Sequence, residues 1–288
     1  MSDNPQDSRD AFFALGFGVL ALSGPDAVKF AHAQFMSDVA ALAPGRWQWS
    51  GWLTPKGRLV ALFAVLKPDA ETLWLLLPEG DAADLGDQLR RYVFRSRLEI
   101  TARSDLFVAG KAAAPALARG AALAGDASHG VELDFGGEGG PRAVRVASDP
   151  APDDRPALAR WRRFDVEHGL PRLDPSQRGQ WTPQMLSLDR LQAFSVKKGC
   201  YPGQEIVART HFLGQAKRGL VLLEADASLA PGTEVGDGGK PLGTIVSVAR
   251  DADTALALAV LPLEHDATAL LAGATTLRER PLLGGLAR

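Results

Sequence analysis

The stretch Phe194-Ser195-Val196-Lys197-Lys198-Gly199-Cys200-Tyr201-Pro202-Gly203-Gln204-Glu205-Ile206-Val207-Ala208-Arg209 holds the only cysteine in 288 residues. Within it, Tyr201-Pro202-Gly203-Gln204 has the chemistry of a type II turn, with proline second and glycine third, where φ is positive. Gly199 gives the backbone freedom on the other side. Cys200 is therefore expected on a tight loop between a strand-like run and a short helix over Gln204–His211. Amides at that helix start, with the ammonium groups of Lys197 and Lys198, favour a thiolate and make Cys200 a candidate reactive thiol. A second reading stays open on these residues alone, a small cysteine buried in a turn. A Cys–His nucleophile pair would require His211 to fold back past the short helix.

The rest of the composition bounds the chemistry. The length suggests two domains, or one large domain with an appendage. Apolar content is 46% and charged content 23%, typical of a globular chain with a sizeable core. A formal net charge of −2 and a pI of about 6.2 argue against a dedicated nucleic-acid binder, while leaving room for a local basic patch. One cysteine cannot close an internal disulfide or supply the thiolate set of a structural zinc or an iron–sulfur cluster. The five histidines are scattered, so no stably bound metal is expected from this chain alone. The apolar run Ala11–Leu22 follows an acidic leader with Asp3, Asp7 and Asp10 against Arg9, whereas a signal peptide needs a basic one. Twelve residues are also too few to span a bilayer. The expectation is a cytoplasmic chain with residues 1–10 disordered and no membrane contact.

Along the chain, Phe12–Leu22 reads as one buried strand. Ser23 and Asp26 then fit a capping box for a helix over Pro25–Ser37. Trp47–Leu53 and Leu59–Leu66 read as strands around the turn Thr54-Pro55-Lys56-Gly57, and Thr72–Leu77 as another. Asp81–Tyr92 reads as an amphipathic helix with acids early and arginines late. Leu98–Thr101 and Leu106–Ala109 return to strand. The Ala/Gly-rich tract over residues 110–156 carries only short strand signals, at Val131–Phe135 and Ala143–Val146. Ala157–His168 reads as a helix closed by Gly169. After Arg218, short strands at Gly219–Glu224, Thr233–Val235, Leu242–Ala249 and Thr254–Val260 are spaced by Gly, Pro and Asp turns, the pattern of a small antiparallel barrel or sandwich. The boundary falls near residue 217.

The cysteine loop resembles the signature of the YgfZ family, folate-binding relatives of the glycine cleavage system T protein (aminomethyltransferase). The family pattern K-G-C-Y-x-G-Q-E is matched without a gap by Lys198-Gly199-Cys200-Tyr201-Pro202-Gly203-Gln204-Glu205. It continues through Ile206-Val207-Ala208-Arg209 and Gly214-Gln215-Ala216-Lys217-Arg218. Leu22–Phe30, Leu53–Arg58 and Tyr92–Arg97 resemble the family's other blocks in the right order.

The resemblance implies an α+β fold: two aminomethyltransferase-like lobes over residues 11–217, meeting near 110, then an antiparallel β-barrel over 218–288, arranged around a channel. It implies binding of tetrahydrofolate or a derivative, and partners among iron–sulfur enzymes, tRNA-modifying ones included, or cluster-assembly proteins. The alternative is a folate-dependent aminomethyl transferase. Cys200 is implied as the functional residue, with Lys198, Gly199, Tyr201, Gly203, Gln204, Glu205, Arg209, Lys217 and Arg218 in support. Trp161 stands where relatives carry a folate-contacting tryptophan, and it also fits a helix core position. Phe17 aligns with a second such tryptophan and can stack without donating an N–H. Glu205 can cap the helix or orient Lys198. Lys217 and Arg218 can hold an anion or pair with acids. Arg162 and Arg163 fit a solvated helix face or a ligand contact, and Lys56 and Arg58 sit on a turn.

Overall fold

The computed structural model describes residues 11–214, 216–250, 254–265 and 270–288. The leader 1–10 and Gln215 of the second half-motif lie outside them. In chain order the elements are β1 (Phe13–Ala14), β2 (Gly18–Ser23), α1 (Ala27–Gln34), β3 (Arg46–Leu53), β4 (Leu59–Lys67), β5 (Thr72–Leu77), α2 (Ala82–Arg90), β6 (Glu99–Ala102), β7 (Phe107–Lys111), β8 (Ala124–Asp126), β9 (Gly130–Asp134), β10 (Ala143–Ala147), α3 (Arg155–Glu167), α4 (Gln204–Leu213), β11 (Arg218–Ala225), β12 (Glu234–Gly236), β13 (Pro241–Arg250), β14 (Ala255–Pro262), β15 (Leu271–Ala272), β16 (Thr275–Thr276) and β17 (Arg278–Arg280). Three sheets result, with strand orders β3-β4-β5-β2-β6, β1-β7-β10-β9-β8 and β16-β15-β12-β13-β14-β11-β17. The fold is α+β: two sheet-and-helix lobes and a nearly closed, barrel-like antiparallel sheet at the C-terminal side.

Continuous apolar strands arise because the first sheet is buried on both faces. Along β2, Val19 and Ala21 join the core shared by all three sheets, while Leu20 and Leu22 join a second cluster under α1 and α2. β5 splits the same way, with Trp74 and Leu76 on one side and Leu73, Leu75 and Leu77 on the other. In β14, Leu256, Leu258 and Val260 face the shared core, while Ala257, Ala259 and Leu261 line the barrel interior.

The structure departs from the sequence expectations at identifiable points. The run over Phe12–Leu22 is two strands, broken at Gly16 (φ +69°), and β1 pairs with β7 while β2 pairs with β5 and β6. The capping box does not form. Asp26 occupies the N-cap position of α1, but its carboxylate accepts from the Arg97 amide at 2.7 Å, and α1 ends at Gln34 rather than Ser37. β8 and β15–β17 carried too little apolar signal to be anticipated. The segment Pro281–Arg288 returns to the lobes: Trp49 Nε1 donates to the Leu286 carbonyl at 2.8 Å, and the Arg288 guanidinium lies 5.4 Å from the Trp47 ring.

Trp49 is fully buried, so Trp49→Ala is expected to destabilise by about 3–5 kcal/mol through lost burial and the cavity left behind. Trp49→Phe keeps much of the packing but strands the Leu286 carbonyl, and is expected to cost about 1–3 kcal/mol. Urea midpoints at constant m check both values.

Candidate functional site

The cysteine loop is anchored from beneath by its own lysine. Lys198 is buried, and its ammonium donates to the carbonyls of His32, of Phe35 at 2.5 Å and of Ser37 at 3.0 Å, around the C-terminal end of α1. Helix-end carbonyls lack intrahelical donors and carry the negative end of the helix dipole, so a cation is well placed there. Burial pulls the Lys198 pKa down to about 8. The ammonium also lies 4.7 Å from the Tyr201 ring centroid. All three of its N–H donors are thus committed to α1. These contacts give Lys198 a structural role, holding the loop to the end of α1.

The turn itself is type II. The Gln204 amide donates to the Tyr201 carbonyl at 3.1 Å, and Gly203 sits at φ +79°, ψ +1° as the N-cap of α4. A Cβ at Gly203 would stand 2.6 Å from the Gly57 Cα, so two glycine backbones pass in contact and lock the β3–β4 turn against α4. Tyr201 is buried, its hydroxyl donates to the Ser195 carbonyl at 3.2 Å, and burial raises its pKa to about 12. Gln204 Nε2 donates to the Lys198 carbonyl at 3.1 Å and closes the loop on itself. Cys200 and Gly199 are left exposed on this frame.

The remaining predicted residues separate into two groups. Lys197, Glu205, Arg209, His211 and Lys217 are exposed, and α4 has no side-chain cap, so Glu205 neither caps it nor reaches Lys198. Arg218 starts β11 and donates to the Leu242 carbonyl at 2.6 Å. Arg58 donates to the Gln180 carbonyl at 2.8 Å, while Lys56 is exposed. Arg163 pairs with Glu167 at 3.1 Å along α3, and Arg162 faces solvent.

Trp161 marks a second place. It is buried on α3, stacked against Phe135 (6.3 Å between ring centroids) and edge-on to Phe13 (6.0 Å). Between α3 and the glycine loop before β10 lies a cavity of about 270 Å³, lined by Trp161, Phe13, Phe164, Arg142 and Arg160 with the loop backbone. Arg142 is sandwiched by aromatic rings, its guanidinium carbon 3.7 Å from the Phe164 centroid and 4.1 Å from that of Trp161. Behind it, the fully buried Asp165 receives Arg142 at 2.8 Å on one oxygen and Arg172 at 2.8 Å on the other. Arg172 in turn lies 5.1 Å from the Phe17 ring, so Phe17 and Trp161 stand at opposite ends of one buried ion triad. Burial lowers the Arg142 pKa, and Asp165 opposes that shift.

Two buried donors at this place have no acceptor among the described residues, Arg142 Nη2 and Trp161 Nε1. The contrast with other tryptophans is informative. Trp47, Trp49 and Trp181 each donate an indole N–H within 3.1 Å. His168 holds the glycine loop. Its Nε2 accepts from the Gly139 amide at 3.0 Å, which leaves the proton on Nδ1 to donate to the Phe164 carbonyl at 2.8 Å. A Cβ at Gly139 would meet the imidazole at 2.6 Å. Arg142, Asp165, Arg172 and His168 were not singled out from sequence. The usable signal was helical spacing: Ala157, Trp161, Asp165 and His168 share one face of α3, and an aspartate on a buried face requires a partner. Tyr201 and Trp161 both belong to the apolar core shared by the three sheets. Among the described residues no group of three or more His, Cys, Asp or Glu could hold a metal ion, and no helix is long and apolar enough to cross a membrane.

Comparison with known proteins places this geometry. The tRNA-modifying protein YgfZ of Klebsiella pneumoniae is 30% identical over 274 residues, covering 85% of this chain and 82% of that protein. The chain belongs to the YgfZ family. The YgfZ protein of Serratia proteamaculans is likewise 30% identical, over 83% of this chain and 80% of its own. No family model matches the chain. Among solved structures, the glycine cleavage system aminomethyltransferase T from Bartonella henselae superposes with a TM-score of 0.70 at 15% identity, covering 93% of this chain and 84% of that one. That likeness establishes the shared fold of this YgfZ member.

Two outcomes test the site's construction. Lys198→Met strands three carbonyls and is expected to lower stability by about 2 kcal/mol, while Cys200→Ser, at an exposed position, stays within about 0.5 kcal/mol of wild type in the same thermal and urea melts. His168 gives a pH signature. Burial holds its folded-state pKa below the ordinary value of 6.5, so the unfolded chain takes up the proton first as pH falls. The His168 contribution is complete above pH 6.5 and is lost as pH drops from there through the folded-state value. His168→Gln should flatten the fall in stability as pH drops below 6.5. His32, lowered mainly by burial, is common to both proteins and cancels in the difference.

Proposed function

We propose that this chain binds tetrahydrofolate or a derivative at the Trp161 cavity and uses the exposed Cys200 to support iron–sulfur enzymes, among them tRNA-modifying ones. The observation that carries the folate half is the cavity lining, three aromatic rings (Phe13, Trp161, Phe164) beside the cationic Arg142 and Arg160. Aromatic walls with arginine at the wall and rim fit a ligand that carries flat rings and anionic oxygens. Folate has both. Family membership supports the same reading, and the relatives are tRNA-modifying proteins by name.

The thiol half rests on exposure and frame. Cys200 is free and exposed on a loop whose backbone is fixed by Lys198, Tyr201 and Gly203. One cysteine per chain supplies one ligand, so a cluster touched by Cys200 is shared with a partner's thiols. Aminomethyl transfer, the other reading, would place a carboxylate beside the folate, and the described lining of the cavity includes no Asp or Glu.

Complementation of a bacterial strain lacking its own YgfZ protein, read out as an iron–sulfur-dependent tRNA modification, separates the halves. Wild type is expected to restore the modification and Cys200→Ala to fail at equal soluble expression. Trp161→Ala is expected to weaken tetrahydrofolate binding in direct titration. Full rescue by Cys200→Ala would remove the thiol from the mechanism, and unchanged tetrahydrofolate affinity in Trp161→Ala would remove the cavity.

A further inference from the structure

The segment between α2 and β6, Arg91-Tyr92-Val93-Phe94-Arg95-Ser96-Arg97-Leu98, is held at both ends and turns two kinds of side chain outward. Val93 and Leu98 pack against the apolar cluster under α1 and α2. The Tyr92 and Val93 amides close turns on the Leu89 and Arg90 carbonyls at 3.0 and 3.1 Å. At the other end, Asp26 accepts from the Arg97 amide at 2.7 Å, and the Asp26 amide donates to the Arg97 carbonyl at 3.3 Å. Between these anchors Phe94 is 76% exposed and Tyr92 41%, with the Tyr92 ring edge-on to Trp52 at 5.8 Å. Arg91, Arg95 and Arg97, which flank them in sequence, are exposed. Arg95 keeps φ at +56°, a left-handed conformation that disfavours a residue with a Cβ and persists only where the surroundings fix it.

The charge of this segment is one-sided. From Arg90 to Leu98 the chain carries four arginines and no acid, although its formal net charge is −2. Arg90 pairs with Asp87 and Arg97 with Asp26 at 3.7 Å, while among the described residues neither Arg91 nor Arg95 is in an ion pair. A single exposed aromatic is ordinary, but two held out of a fixed cationic loop match a partner with flat faces and negative charge. An acidic peptide would answer the arginines and leave the Phe94 ring in water. A duplex hides its base faces in the stack. An unpaired strand offers both phosphates and free base faces, and folded RNAs keep such strands open in their loops, whereas DNA is held paired. We infer that the loop between α2 and β6 is a contact surface for an unpaired RNA segment, with Phe94 as the base-stacking platform and Arg91, Arg95 and Arg97 as phosphate contacts. This gives a function to the Tyr92–Arg97 block, which neither the α3 cavity nor the cysteine loop uses, and it stands independently of the folate and thiol readings.

Fluorescence anisotropy of the full chain with a labelled RNA hairpin bearing an unpaired loop tests this, with a fully paired RNA duplex and a polyglutamate peptide as comparison probes. Wild type is expected to bind the hairpin more tightly than the duplex. Three arginines neutralising one phosphate each give an expected slope of log K against log[salt] of about −2. Phe94→Ala removes an exposed ring and is expected to weaken hairpin binding about tenfold. Arg95→Gly suits the positive φ, so the protein should stay folded in a thermal melt while the salt slope becomes shallower by about 0.7. Absence of hairpin binding at low salt overturns the proposal. So does equal affinity for the duplex, and so does hairpin binding that neither variant changes, which would put the contact elsewhere on the chain. Phe94-dependent binding of polyglutamate without binding of the hairpin would make the loop a docking surface for an acidic protein and remove RNA.

Discussion

A carboxylate with no exposed surface must be paired, and Asp165 is paired twice. Its two oxygens receive Arg142, just before β10, and Arg172, in the loop after α3. Arg172 also donates to the Pro78 carbonyl at 2.8 Å, at the end of β5, while Ser247 in β13 accepts from the Arg172 amide at 2.8 Å. One buried anion thereby ties α3, both lobe sheets and the barrel to a single point. Removing one member of such a group leaves an uncompensated buried charge, which costs about 3–5 kcal/mol, so the arrangement tolerates little local change. The cavity wall is built on that constraint, because Arg142 can stand between Phe164 and Trp161 only while Asp165 holds it.

How much of this was legible in the sequence follows from where the signal is local. The type II turn at Tyr201–Gln204 is encoded by proline and glycine in adjacent positions and forms as read. Strands with both faces buried, such as β5 and β14, read as continuous apolar runs whose ends fall within a residue or two of those expected. The break at Gly16 was hidden, since the apolar run continues through it and only the sheet partner changes. The Ala/Gly-rich tract gave weak signals for a physical reason. Its glycines at 137 and 139 let backbone pass against His168, and close approach leaves no side-chain pattern to read. The ion triad spans residues 142, 165 and 172 with a neutral histidine beside it, a grouping created by the fold rather than by spacing. Lys198 shows the opposite failure. Its position in the motif suggested a partner for the thiol, while the carbonyls that claim it lie more than 160 residues away in sequence.

The two candidate places solve the problem of a buried cation in different ways, and the difference is informative. At the cysteine loop, the Lys198 ammonium has three carbonyl acceptors and an aromatic face, so nothing is left for a ligand to satisfy. That cation stiffens the loop, which exposes the thiol beside the side chains of Lys197 and Glu205. At the α3 cavity, Arg142 has aromatic faces and a shared carboxylate but retains a donor with no acceptor, beside a tryptophan in the same condition. Among the described residues the indole N–H groups of Trp47, Trp49 and Trp181 are satisfied, while that of Trp161 is buried without an acceptor. Full satisfaction beneath Cys200 leaves a rigid loop with an exposed thiol, whereas incomplete satisfaction around Trp161 leaves two buried donors without acceptors among the described residues.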